Sequence, residues 1–165
     1  MRFLSVLLFA LILVQPASAQ TFIGNFDDWS AFHSGAGKAK ACYIASVPKK
    51  ETGKYKTRGN THVIVTHRPG EKARDIFELR AGYSFKKGSS VDVRIGGTKI
   101  RLFTDGGAAW AKNAKIDRNL TQNMKRGSEM TVHGTSSRGT RTVDTYSLKG
   151  FTAAYRAINK ECKVK

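Results

Sequence analysis

Residues 91–103 read Val-Asp-Val-Arg-Ile-Gly-Gly-Thr-Lys-Ile-Arg-Leu-Phe. Two alternating runs flank Gly96-Gly97, a pair suited to the positive φ angles of a two-residue hairpin turn. If Ile95 faces Thr98, then Val93 faces Ile100 and Val91 faces Leu102, so every large aliphatic side chain falls on one face. The other face pairs Asp92 with Arg101 and Arg94 with Lys99. The like-charged pair is unfavourable unless solvent or an anion relieves it, which makes Arg94, Lys99 and Arg101 a candidate anion patch.

Working outward, the dominant period is two, which argues strands. Cys42 to Val47 is a first run, entered through Gly35 and Gly37. Thr61 to Thr66 alternates cleanly, and after a turn at Pro69-Gly70 the pattern resumes from Ile76 to Phe85 as the longest strand candidate. Between Pro48 and Gly59 it breaks, and Lys49, Lys50, Lys54, Lys56 and Arg58 mark a solvated, basic loop. Asp105-Gly106-Gly107 reads as another turn. Met130 to Thr135 and Thr140 to Ser147 form a second hairpin around Ser136 to Gly139. A short helix is expected over Ile116 to Arg126, capped by Asp117 and ended by Gly127, with Leu120 and Met124 on one face. From Leu148 to Cys162, apolar residues at Phe151, Ala154, Tyr155, Ile158 and Cys162 recur at helical spacing, so an amphipathic helix closes the chain.

The first nineteen residues are different in kind. Arg2, an apolar run from Phe3 to Val14, Pro16 and Ala17-Ser18-Ala19 make a secretory leader with cleavage expected after Ala19. The run is shorter than the roughly twenty residues needed to span a bilayer, and no later stretch is apolar enough to do so. Residues 20–165 then form one domain. The whole chain carries 29 Lys and Arg against 12 Asp and Glu, a formal charge of +17, while 40% of its residues are hydrophobic. A packed core with a basic exterior follows. Such an exterior suits either simple solubility or a polyanionic partner such as lipopolysaccharide, glycosaminoglycan or nucleic acid.

Only two cysteines occur, Cys42 and Cys162. In an oxidising compartment a lone pair forms a disulfide, here closing a loop of about 120 residues worth roughly 4 to 5 kcal/mol by the chain-entropy model. Their distance apart, without a CxxC or a neighbouring histidine, argues against a metal or reactive thiol site. No cofactor motif is present, and GxSxG, HExxH and P-loop signatures are missing from the sequence. A small secreted ribonuclease would need an acid and a base from His33, His62, His67 and His133. His62 and His67 are five apart, which on a straight strand points them to opposite faces, and His133 stands opposite the Met130 and Val132 face. The reading is therefore non-enzymatic. Trp29 and Trp110 are expected in the core, and the sequon at Asn119 has meaning only on a eukaryotic secretory route.

Several stretches together carry a resemblance. Gly127 to Cys162 (GSEMTVHGTSSRGTRTVDTYSLKGFTAAYRAINKEC), FDDWSAF at Phe26 to Phe32, CYIASVP at Cys42 to Pro48, GYSFKKGSSV at Gly82 to Val91 and LFTDGGAAWAKNAKID at Leu102 to Asp117 are similar to the invasion-associated locus B family of alphaproteobacterial exported proteins. The likeness spans nearly all of the chain after the leader. It implies an immunoglobulin-like β-sandwich with a C-terminal helix, export to the periplasm or cell surface, and no catalytic residues. The number of strands read from the pattern allows such a sandwich. The family is named for host-cell invasion, so an envelope or host-surface component is the partner class it points to. The Tyr146-Ser147-Leu148-Lys149-Gly150-Phe151 junction and the two cysteines read as structural.

Overall fold

Eleven strands and two helices make up the computed structural model, which describes residues 20–164. The strands are β1 (Gln20–Phe26), β2 (Trp29–Ser34), β3 (Ala41–Ser46), β4 (Lys50–Gly53), β5 (His62–Arg68), β6 (Ala73–Arg80), β7 (Ser90–Ile95), β8 (Thr98–Asp105), β9 (Ala108–Trp110), β10 (Glu129–Thr135) and β11 (Arg141–Ser147). The helices are α1 (Ala114–Arg126) and α2 (Phe151–Cys162). The expected leader, residues 1–19, lies outside the described residues.

The hairpin at Gly96-Gly97 forms in the expected register, with Val91 opposite Leu102, Asp92 opposite Arg101, Val93 opposite Ile100 and Arg94 opposite Lys99. The second hairpin also forms, β10 against β11. All strands join one antiparallel sheet in the order β1-β2-β3-β5-β6-β9-β8-β7-β10-β11-β4. The three residues of β9 are the joint, since they pair with the end of β6 on one side and the end of β8 on the other. The sheet thus divides into two halves that close over one core in a sandwich-like arrangement. Trp29, Ile44, Val65 and Phe77 enter that core from one half, and Val93, Leu102, Met130 and Tyr146 from the other.

Both helices complete it. Leu120 and Met124 share the buried face of α1, and the stripe Phe151, Ala154, Tyr155, Ile158 and Cys162 is buried along α2. Fully burying side chains of this size contributes about 1.5 to 3 kcal/mol each. Trp29 meets Phe151 edge to face at 4.9 Å. Cys162 bonds Cys42, tying the last turn of α2 to β3 across 120 positions of sequence.

Four local expectations are corrected. The Ile76 to Phe85 strand starts earlier and ends at Arg80, because Gly82 turns to φ +70° and its carbonyl accepts from Gly59 N–H at 2.9 Å. Phe85 keeps its buried place but makes only an isolated bridge to Ser136. The basic stretch 48–59 is not all loop: Lys50 to Gly53 forms β4, an edge strand on β11 whose four residues are all exposed, so no apolar alternation announces it. In α1 the cap is Asn113, whose side chain accepts from the N–H groups of Lys115 and Ile116, while Asp117 turns inward and accepts from Phe77 N–H at 2.9 Å. Trp110 is only half-buried, against an exposed Phe103, whereas Trp29 is core as expected.

Two segments distant in sequence form one contact. Asp27, at φ +51°, and Asp28 make the β1–β2 turn, which docks on the Tyr146-to-Phe151 junction. Trp29 Nε1 donates to the Ser147 carbonyl at 3.0 Å, Asp28 N–H to the Lys149 carbonyl at 3.3 Å, and Lys149 pairs with Asp27. Gly150 lies at φ +87° with Phe26 O so close that a Cβ would stand 1.8 Å from it.

Candidate anion-binding site

Arg58 organises the surface on which the basic loop comes to rest. Its side chain is 3% exposed and that of Asp144, on β11, is 2% exposed. The guanidinium donates from both terminal nitrogens to the two Asp144 carboxylate oxygens at 2.6 Å, and from Nε to the Ala81 carbonyl at 2.7 Å. It also lies 4.9 Å from the centre of the Tyr83 ring and 5.6 Å from that of Tyr55. Burial opposes the guanidinium charge, but the hydrogen bonds and field of Asp144 hold its pKa above the ordinary value. Burial pushes the Asp144 carboxyl up, against the pull of the same bonds. A bidentate pair of this kind is the strong form of a buried ion pair. Arg58, with Glu51 Oε2 a further 3.5 Å from Nη1 and its side chain buried, is therefore an anchor of the fold.

That anchor sets the loop beside the β10–β11 turn, and a cleft of about 460 Å3 opens between them. Lys54 and Lys56 stand on one side and Arg138 on the other; Tyr55 and Tyr83 supply aromatic wall, and Ser84, Ser136, Thr140 and Thr142 supply hydroxyls. Tyr83 OH and Thr142 Oγ1 are hydrogen-bonded at 2.6 Å. Arg141 lines an adjoining depression that shares Lys54, Arg138 and Thr140. No Asp or Glu lines either space, and among the described residues Lys54, Lys56 and Arg138 have no carboxylate in ion-pair range. Cations without acids, beside hydroxyl donors and rings, suit an anionic group attached to a polar or ring-bearing carrier.

The other basic candidates do not join this cleft. Lys49 is held by Asp28 at 2.5 Å, and Lys50 is exposed on β4, near the opposite end of that strand from Lys54. Hydrogen bonds from Lys49 and Ser147 hold the Asp28 carboxyl below its usual range. On the β7–β8 face, Asp92 takes both Lys99 at 3.0 Å and Arg101 at 3.1 Å. Partial burial works against its charge, yet those two donors bring the Asp92 carboxyl below its ordinary value. Arg94 remains exposed there, beside a shallow depression that also reaches Arg126 and Glu129. Sequence reasoning missed Arg138, read only as part of the Ser136 to Gly139 turn, and Arg141, read only as part of the strand that follows it. Two arginines three residues apart, one in the hairpin turn and one at the start of the returning strand, were the available signal.

The histidines are dispersed. His62 faces outward and His67 inward on β5, and His133 lies on β10 with Thr131 Oγ1 at 3.2 Å from Nε2. His67 is fully buried: Nδ1 accepts from Asp75 N–H at 3.1 Å, so Nε2 carries the proton and donates to Asn159 Oδ1 at 2.8 Å. Burial lowers its pKa. Asp75, at φ +63°, accepts from Tyr155 OH at 2.6 Å, and the group locks α2 to β5 and β6. Among the described residues no three His, Cys, Asp or Glu side chains are placed to hold a metal ion. No helix among them is long and apolar enough to cross a membrane.

Residues 29–159 match the family model described as "Invasion associated locus B (IalB) protein". Neither a curated protein nor a solved structure matches the chain.

Proposed function

The chain belongs to the invasion-associated locus B family, and on that premise we propose that it is an exported, non-enzymatic binding module that grips anionic polymers of the envelope or host surface. The observation that carries the ligand class is the cleft in which Lys54, Lys56 and Arg138 converge with no acid among its lining residues. Export is supported by the leader reading and by a disulfide, which persists in oxidising compartments such as the periplasm. The non-enzymatic reading is supported by the dispersal of His62, His67 and His133, since acid–base cleavage of RNA needs two such groups on one substrate.

Binding of the oxidised exported protein to lipopolysaccharide, heparin or RNA, measured across a salt series, tests this. Three cleft cations neutralised by a polyanion imply a loss of about 40-fold between about 50 and 200 mM salt. Lys54→Gln, Lys56→Gln and Arg138→Gln together are expected to abolish most of that dependence without loss of fold, because all three are exposed. Salt-insensitive binding, or full affinity in the triple variant, removes the proposal. RNA degradation lost on changing His62, His67 or His133 to Ala would make the protein an enzyme instead.

A further inference from the structure

The groups lining the cleft beside Arg58 distinguish among anionic polymers. Its exposed cations stand on both sides, Lys54 and Lys56 across from Arg138, so both sides can meet one anionic group. Guanidinium and ammonium groups accept phosphate and sulfate alike. The polar groups left over between them are hydroxyls. Thr142 Oγ1 is taken by Tyr83 OH at 2.6 Å, and Ser136 Oγ accepts from the Thr140 N–H at 3.1 Å. The hydroxyls of Thr57, Ser84 and Thr140 have no protein partner among the described residues. Each can both donate and accept, which is what the hydroxyls of a sugar require.

The rings of the cleft, by contrast, are engaged. Single-stranded nucleic acid is held by bases stacked on open aromatic faces. Here the Arg58 guanidinium lies over the Tyr83 ring at 4.9 Å and the Tyr55 ring at 5.6 Å, so it takes one face of each. Phe85 meets the Tyr83 ring nearly at right angles, 5.2 Å between centres, and the Tyr83 hydroxyl is bound to Thr142. Tyr83 therefore builds the wall and offers no stacking platform. A space of about 460 Å3 is also that of a small-molecule site, which takes a short unit and not a length of chain. We propose that the cleft recognises a sugar unit carrying phosphate or sulfate, with the anionic group between Arg138 and the two lysines and the sugar hydroxyls on Thr57, Ser84 and Thr140. This rests on the anion-binding reading above and narrows its ligand from polyanions at large to anionic saccharides. The phosphorylated sugars of lipopolysaccharide and the sulfated sugars of glycosaminoglycans share that chemistry.

Calorimetric titration of the oxidised exported protein with small probes tests the proposal. The probes are a phosphorylated glucosamine disaccharide, a sulfated heparin disaccharide, the same two sugars stripped of their anionic groups, inorganic phosphate and an RNA tetranucleotide. At least one charged disaccharide is expected to bind about tenfold or more tightly than the uncharged sugars, phosphate and the tetranucleotide, and the tighter of the two names the source. Ser84→Ala with Thr140→Val is expected to weaken that disaccharide about tenfold and to leave phosphate binding unchanged. If the pair fails to fold, Ser84→Ala alone, at an exposed side chain, should weaken it about threefold. A charged disaccharide no tighter than phosphate, a tetranucleotide that binds as well, or binding indifferent to a folded hydroxyl variant overturns the proposal. If salt-dependent binding of heparin or lipopolysaccharide is still lost in the Lys54, Lys56 and Arg138 variant, such a result leaves the anion-binding reading standing. If neither polymer nor any probe binds, both fall.

Discussion

Replacing Arg58 by Met leaves the Asp144 carboxylate in a place 2% exposed to solvent, with its two 2.6 Å donors gone and the Ala81 carbonyl also losing a partner. Breaking a buried pair from one side costs about 3 to 5 kcal/mol, mostly as the penalty of the stranded charge. Most of that loss should return in the double variant Arg58→Met, Asp144→Leu, because a buried ion pair and an apolar pair of similar volume are close in free energy. The single variant also has a pH signature. Without its donors, the Asp144 carboxyl is raised further above its unfolded value by burial, the cause that already dominates its shift. A carboxyl raised in the folded state binds its proton more readily there than in the unfolded chain, so the deficit shrinks as pH falls through that raised pKa. Urea unfolding followed by the fluorescence of buried Trp29, with the disulfide intact, measures each of these. A deficit below about 1 kcal/mol at neutral pH would refute the stranded-charge argument. So would a deficit unchanged on acidification, or a double variant no better than the single one. Anion binding is expected to weaken in both variants, since each frees the loop that carries Lys54 and Lys56.

Reducing the Cys42–Cys162 bond should lower stability by roughly 5 kcal/mol, from its separation of 120 residues, and equal urea midpoints with and without reductant would contradict this. Gly150→Ala should cost at least about 2 to 3 kcal/mol, since it combines a left-handed φ with a Cβ 1.8 Å from Phe26 O; a Tm within a degree or two of wild type would rule the contact out. His67 has a folded pKa lowered by burial, so its contribution is complete above the unfolded value of about 6.5 and is lost as pH falls below it. Stability should therefore fall as pH drops below about 6.5, where the unfolded chain takes up a proton that folded His67 resists, and His67→Gln should flatten that dependence.

The β7–β8 and β10–β11 hairpins and the buried stripe of α2 were legible because each depends on neighbours close in sequence. Gly96-Gly97 specifies its own turn, and Phe151 to Cys162 repeats at helical spacing whatever lies opposite. The strand β4 was not legible, because an edge strand exposed on both faces has no alternation to read. Asp117 was misjudged for a related reason. An acid in a first turn normally serves the helix end, and only the packing of α1 on β6 offers it the buried Phe77 N–H instead. Of the eight basic candidates, two line the cleft and a third anchors it. Lys49, Lys99 and Arg101 proved to be engaged with Asp28 and Asp92, partners supplied by the β1–β2 turn and by strand pairing.

By itself the sequence determined the mainly β class, the register of the β7–β8 hairpin, the C-terminal helix and its buried cysteine, the basic charge and the family. All of these rest on periodicity, composition or motif order, which are properties of the chain read along its length. The tertiary structure alone decided what each charge is for. Arg58 and Lys56 are two residues apart and chemically alike, yet one is buried on Asp144 and the other faces an open cleft. The difference comes from Asp144, 86 positions away from Arg58, and from the Ala81 carbonyl. Whether a cation is a structural anchor or a free ligand-binding group depends on the acids and solvent around it, and folding sets both.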